Sequence, residues 1–94
     1  MTTTKKDLAL KISERLGVRK QLAYEVVNTL FKAMRESLIA GNRIEIRGFG
    51  TFKVVTRASR TGRNPKTGDL VKIPERPVPV FKPSRELRSS VEGG

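Results

Sequence analysis

Residues 56–68 offer a hydrophobic core almost nothing. Proline aside, Ala58 is the only apolar side chain in that stretch. Such a segment cannot run through a small domain, because its peptide groups and charges would be buried without partners. It has to stand out from the body, and the rest of the chain has to build a core without it. Asn64-Pro65-Lys66-Thr67-Gly68 reads as a turn: proline presets φ and glycine takes the left-handed position. Strand-like sequence lies on either side. Residues 51–57 place Phe52 and Val54 inward, and residues 70–73 return. Pro74, Pro77 and Pro79 then confine the return strand to an edge or a bulge, after which Val78, Val80 and Phe81 re-enter the core. The segment is therefore the end of a long two-stranded ribbon, about residues 53–76.

Ahead of the ribbon the pattern is helical. Thr4 with Asp7 three residues on forms a capping-box-like start, and Leu8, Ile12 and Leu16 follow at helical spacing. This predicts a helix over 5–16, stopped by Gly17. A second helix over about 20–40 carries a wide apolar stripe of Ala23, Val26, Val27, Leu30, Phe31, Met34 and Leu38. The period then changes from 3.6 to 2: Arg43-Ile44-Glu45-Ile46-Arg47 alternates strictly, and Gly48-Phe49-Gly50 turns the chain. At the other end Ser84 caps a last short helix over 84–92, with Leu87 and Val91 inward and Glu92-Gly93-Gly94 frayed.

The expected class is α+β. Two N-terminal helices precede a three-stranded antiparallel sheet with a long β-ribbon arm, and a short C-terminal helix follows. All of it forms one domain over 1–94, divided into a helical dimerisation part (1–41), the sheet with its arm (42–83) and the last helix. The ribbon contributes little core, which leaves about 70 residues to build one. Phe31, Phe49, Phe52, Phe81 and the stripe of the second helix are core side chains, and they present more apolar surface than one short helix can cover. Chains with so little core often need a partner, so an intertwined dimer is expected.

Charge narrows the partner. Lys and Arg number 20 against 9 acids, a net charge of +11. Polyanions are therefore attracted, either nucleic acid or an anionic membrane. The ribbon alone holds Lys53, Arg57, Arg60, Arg63, Lys66, Lys72 and Arg76 against Asp69 and Glu75. Strand alternation puts Arg57 and Arg63 on one side and Arg60 on the other if no bulge intervenes, and charge on both sides suits a groove walled by phosphates. Solubility alone does not require a ribbon of this length. Pro65 at its tip is rigid and flat-sided. Besides shaping the turn, it suits the role of an apolar wedge between base pairs.

Other classes fit less well. With no cysteine and no histidine, disulfides and the usual zinc sets are excluded, and so are the commonest general base and the best nucleophile. Gly62 to Gly68 lacks the spacing of a phosphate-cradling P-loop. No enzyme, metal, cofactor or small-molecule substrate is expected. Single-stranded DNA and RNA binders present aromatic platforms, whereas the ribbon has none. Neither helix concentrates its cations as a membrane-surface helix does, and no apolar run approaches a membrane span. The start of the chain has no signal-peptide pattern, which points to the cytoplasm.

GFGTF (48–52), RASRTGRNPKTGD (57–69) and VFKPSREL (80–87), following two amphipathic helices, resemble the HU/integration host factor family of bacterial DNA-bending proteins. The resemblance spans nearly the whole chain, and RIEIRGFG is closer to integration host factor beta subunits than to ordinary HU. It implies an intertwined homodimer, or a heterodimer with a related chain, whose two arms enter the minor groove of double-stranded DNA in the nucleoid. It also implies that Pro65 enters a base step. Arg57, Arg60, Arg63, Lys66 and Lys72, with Lys53, Asn64 and Arg76 beside them, then contact phosphates and groove. Glu45 and Arg47, with Arg43 nearby, take part in sequence preference. Lys82 and Ser84 complete the surface, Ser84 offering its hydroxyl and backbone N–H to a phosphate. Whether binding is site-specific or general stays open. Some positions depart from the family: Val18-Arg19 replaces a Ser or Thr helix cap, Ser84 replaces a glycine, and Pro74 and Pro77 are added to the arm.

Overall fold

The computed structural model describes residues 1–93; the expected fraying at Gly94 lies outside the described residues. Helix α1 spans Lys5–Leu16 and opens on the predicted capping box. Thr4 Oγ1 accepts the Asp7 N–H at 3.3 Å, and Asp7 Oδ2 accepts the Thr4 N–H at 2.8 Å. Gly17, at φ 69°, closes the helix in the left-handed region. Helix α2 spans Lys20–Ile39, and its N-cap residue Arg19 makes no side-chain cap. The tight turn between the helices is held instead by the Ser13 hydroxyl, which donates to the Val18 carbonyl at 2.6 Å. Small side chains sit where the helices cross. Among the described residues, only Ala9, Ala23 and Val27 are buried apolar side chains.

Strands β1 (Ile44–Ile46), β2 (Gly50–Arg57) and β5 (Arg76–Pro83) make an antiparallel sheet in the order β1-β2-β5. Strands β3 (Arg60–Arg63) and β4 (Leu70–Ile73) form a second antiparallel pair. The expected two long strands are thus each interrupted once, at 58–59 and at 74–75. The register is the same on both sides of the gap: Arg57 faces Arg76, and three residues further along Arg60 faces Ile73. There is no bulge.

Proline parity explains the gap. Successive N–H groups along a strand point to opposite edges. Pro77, Pro79 and Pro83 share one parity in β5, an edge strand, so their missing donors fall on the open edge. Pro74 has the other parity, and its missing donor falls on the rung opposite Ser59.

The inner face of the sheet carries Phe52, Val54 and Phe81 with Phe49 from the β1–β2 turn. Ring centroids lie 4.6 Å apart for Phe52–Phe81 and 5.4 Å for Phe49–Phe81. Gly50 lets β5 approach, since a Cβ there would come within 2.5 Å of the Lys82 carbonyl oxygen. These aromatic side chains were expected in a core, yet Phe49 is 44% exposed and Phe31 and Phe81 are 41% exposed. The helix pair meets the sheet mainly through α2, at β1 and β2. An apolar hollow of about 620 Å³ is left between Phe31, Met34, Leu38, Phe52, Val54 and Pro79. One chain does not close its own core. Exposed apolar surface on this scale marks a protein contact.

Helix α3 spans Arg85–Gly93, one residue beyond the expected end, so Glu92 and Gly93, expected to fray, belong to the helix. Ser84 Oγ accepts the Leu87 N–H at 3.1 Å, as a cap should. Leu87 is half-buried, but Val91, expected inward, is 77% exposed. In a single chain the last turn of α3 has no layer to pack on. The arm gives the molecule its shape: the longest extent is 58 Å, and the radius of gyration is 18.7 Å, against about 12 Å for a compact domain of this length.

Candidate nucleic-acid interface

Constant register fixes which arm side chains share a face. Residues opposite each other in an antiparallel pair point the same way, and the direction alternates along each strand. Lys53, Arg57 and Arg63 therefore share one face with Lys72 and Arg76. No acid lies on that face between residues 53 and 76. Arg60 lies on the opposite face, with Asp69 and Glu75. The predicted separation of Arg57 and Arg63 from Arg60 holds. Cations lie on both sides, but unequally, and the acids share Arg60's side.

Arg57 and Arg76 are direct cross-strand partners. Like charges opposite one another destabilise a sheet, so folding gives no reason for the pair. The other face is thinner and less charged. Ile73 lies over Gly62, where an added Cβ would come 3.2 Å from Ile73 Cδ1.

The tip is ordered by its own hydrogen bonds. The Asn64 N–H donates to the Asp69 carbonyl at 2.8 Å, and the Gly68 N–H to the Asn64 carbonyl at 2.7 Å. Asn64 Oδ1 accepts the Lys66 N–H at 2.9 Å, and Thr67 Oγ1 accepts the Asp69 N–H at 3.3 Å. Gly68, at φ 76°, supplies the left-handed residue the turn requires. Pro65 stands exposed at the apex. Two candidate residues are thus engaged within the tip: Asn64 shapes the turn with its side-chain oxygen, and Arg63 Nη1 donates to the Gly68 carbonyl at 2.8 Å.

At the root of the arm, Arg43, Glu45, Arg47, Lys53, Lys82 and Ser84 line a shallow basin of about 530 Å³ on the outer face of the sheet. Glu45 is paired with Thr51 and Thr51 with Lys82, which aligns the three across the sheet. Arg43 Nη2 lies 3.0 Å from Glu45 Oε1, the only side-chain ion pair among the described residues. An exposed pair of this kind contributes at most about 1 kcal/mol. It offsets the single acid of the basin and leaves Arg47, Lys53 and Lys82 facing solvent. Ser84 differs from expectation in one respect. Its backbone N–H donates to the Phe49 carbonyl at 2.8 Å and is not open to a phosphate; only the hydroxyl proton remains to donate.

Sequence reasoning passed over Thr51, which lines the basin, and Thr67, whose hydroxyl holds the turn. It also passed over Thr61, which faces Lys72 on the cationic side. The alternation that placed Arg57 and Arg63 on one side also places Thr61 with them.

A cationic arm, a preformed proline turn and a basic basin at the arm's root make a surface suited to a polyanion. Residues 3–92 match the family model described as bacterial DNA-binding protein, and the chain belongs to that family, the HU/integration host factor group of architectural DNA-binding proteins. Over 91 residues it is 47% identical to the integration host factor subunit beta of Herminiimonas arsenicoxydans, covering 95% of this chain and 89% of that one. It is 43% identical over 91 residues to the subunit alpha of Bordetella avium, covering 97% and 78%. Among solved structures it resembles an Anabaena HU–DNA cocrystal, with a TM-score of 0.89 and 30% identity over 98% of this chain and 100% of that one. The family is architectural and non-enzymatic; its members bind double-stranded DNA and form dimers.

Proposed function

We propose that two copies of this chain, or this chain and a related one, close a shared core through residues 1–41 and the inner face of the sheet. The dimer holds double-stranded DNA between its two arms and bends it from the minor groove. One observation carries the reading: a ribbon of unbroken register with five cations and no acid on one face ends in a prolyl turn ordered before any ligand arrives. Lys53, Arg57, Lys72 and Arg76 meet phosphates along the arm, and Arg60 reaches the groove from its other side. Asn64, Pro65 and Lys66 form the tip that enters it. Arg43, Arg47, Lys82 and the Ser84 hydroxyl hold the backbone at the arm's root.

Affinity then comes mainly from counterion release, with log K falling by about 0.9 per phosphate contact for each unit of log salt. Bending a short site costs on the order of 1–6 kcal/mol, offset by contact along the flanks. Unstacking a base step costs a few kcal/mol in minor-groove architectural proteins, a class that includes this family. Within the cell the reading places the protein in the cytoplasm on the nucleoid, organising DNA for recombination, replication or transcription.

The test is the bend. Pro65→Ala should reduce the end-to-end approach of a short labelled duplex measured by energy transfer, with affinity reduced less than bending. A bend equal to that of the native protein removes the wedge. Site-specific binding is the second reading, supported by the aligned Glu45 and Lys82, by Arg47 beside them and by the similarity to integration host factor subunits. Light scattering of the protein purified alone, followed by footprinting on random-sequence DNA, separates it from general binding.

A further inference from the structure

Leu70 stands at the last rung before the turn, opposite Arg63. It lies two residues from Lys72 on the same strand, so its side chain belongs to the cationic face. Proline aside, it is the one large apolar side chain on that face beyond Arg57. It is also 69% exposed, against 46% for Val71 on the opposite face. The strand that carries it packs mainly on β3. Ile73 has a use in the fold, since it closes over Gly62. Leu70 covers nothing comparable, and folding gains little from it.

We infer that Leu70 is an apolar contact to the wall of the minor groove, packing on deoxyribose carbons beside the base step that Pro65 enters. The inference rests on the minor-groove reading above and extends it from charge to shape. The rims of that groove carry phosphates, and its walls are the carbon-rich edges of the sugars. Cations such as Arg63 and Lys72 suit the rims, and a leucine between them suits the wall. Minor-groove proteins count leucine among their apolar wedges. The groove is only about 6 Å wide, so a side chain carried into it loses water on more than one side. Such burial is favourable roughly in proportion to the apolar area removed from water. Unlike a phosphate contact, it releases no counterions and adds nothing to the salt slope.

Full-length protein with Leu70→Ala and with Leu70→Met tests this on a short duplex. Leu70→Ala should weaken binding about tenfold per arm, as expected when most of a buried leucine's carbon is removed. The loss should be the same at every salt concentration, so that log K keeps its native slope against log salt. The heat-capacity change on binding should become less negative, the marker of lost apolar burial. Leu70→Met keeps the apolar volume and should bind like the native protein. In the free protein, amide exchange along β3 and β4 should match the native rates in both variants. Native affinity in Leu70→Ala overturns the inference. So does a loss accompanied by faster exchange in β3 and β4, because the leucine then holds the ladder and not the DNA. A duplex whose minor groove is filled by a groove-binding dye keeps the readings apart. If the native protein binds it undiminished, the minor-groove reading falls and this inference with it. If the dye blocks the native protein while Leu70→Ala binds open duplex like the native, this inference alone falls.

Discussion

Phe52 and Arg57 lie on the same strand, five residues apart, and are governed by different physics. Around Phe52 the structure is held by side chains. Rings pack 4.6 Å apart, Gly50 makes room for Phe81, and the apolar face is left incomplete until another chain covers it. Around Arg57 and beyond, side chains hold almost nothing. The arm is a ladder of backbone hydrogen bonds ending in a turn with its own bonds, and its charges work against pairing at Arg57–Arg76. The body thus spends its sequence on burial and the arm on charge. A change in one region should leave the other's behaviour nearly intact.

Phe81→Ala should break that separation from the body's side and give the largest effect. If a second copy buries Phe81, truncation should cost about 3–5 kcal/mol, seen in thermal unfolding and as monomer in light scattering. A cost below about 1 kcal/mol would mean that the half-exposed ring stays half-exposed in solution. The arm's side is sharpened by replacing Arg57, Lys72 and Arg76 together with alanine. The salt slope of DNA binding should fall by about 2.7 per arm, at 0.9 for each lost contact. The thermal midpoint should hold or rise slightly, because a like-charge pair is gone. Arg60→Ala alone should lower the slope by no more than about one contact per arm; an effect equal to the triple substitution would contradict the one-faced arrangement.

The smallest effect belongs to Asp7. Hydrogen bonds from the Thr4 N–H and hydroxyl hold its carboxyl below the ordinary value of 3.8, and Lys11 and Lys6 add to the shift. A depressed folded value means that the contribution is present above the ordinary value and is lost as pH falls through the folded one. Protection of the amides in the first turn of α1, taken against the intrinsic exchange rate at each pH, should therefore fall on acidification below the ordinary value. Asp7→Asn should remove that pH dependence while leaving DNA affinity at neutral pH unchanged.

Much of this was legible in the residues themselves. The bounds of α1 followed from Thr4, Asp7 and Gly17, and the turn from Asn64-Pro65 and Gly68, because capping and turn chemistry act within four residues. The outer part of the ribbon was legible because, proline aside, Ala58 is the only apolar side chain over residues 56–68. Pairing decided the rest. The absence of a bulge at Pro74, and with it the face on which each cation lies, depends on two strands meeting in one register. The reach of Arg63 to Gly68 and the use of the Ser84 N–H by Phe49 depend on where a partner group comes to rest in space. The phenylalanines show the same limit: their sequence marked them for burial, but a single chain holds too little apolar surface to bury them. Local chemistry, in short, is written residue by residue, whereas burial and register belong to pairs of segments and are settled only when those segments meet.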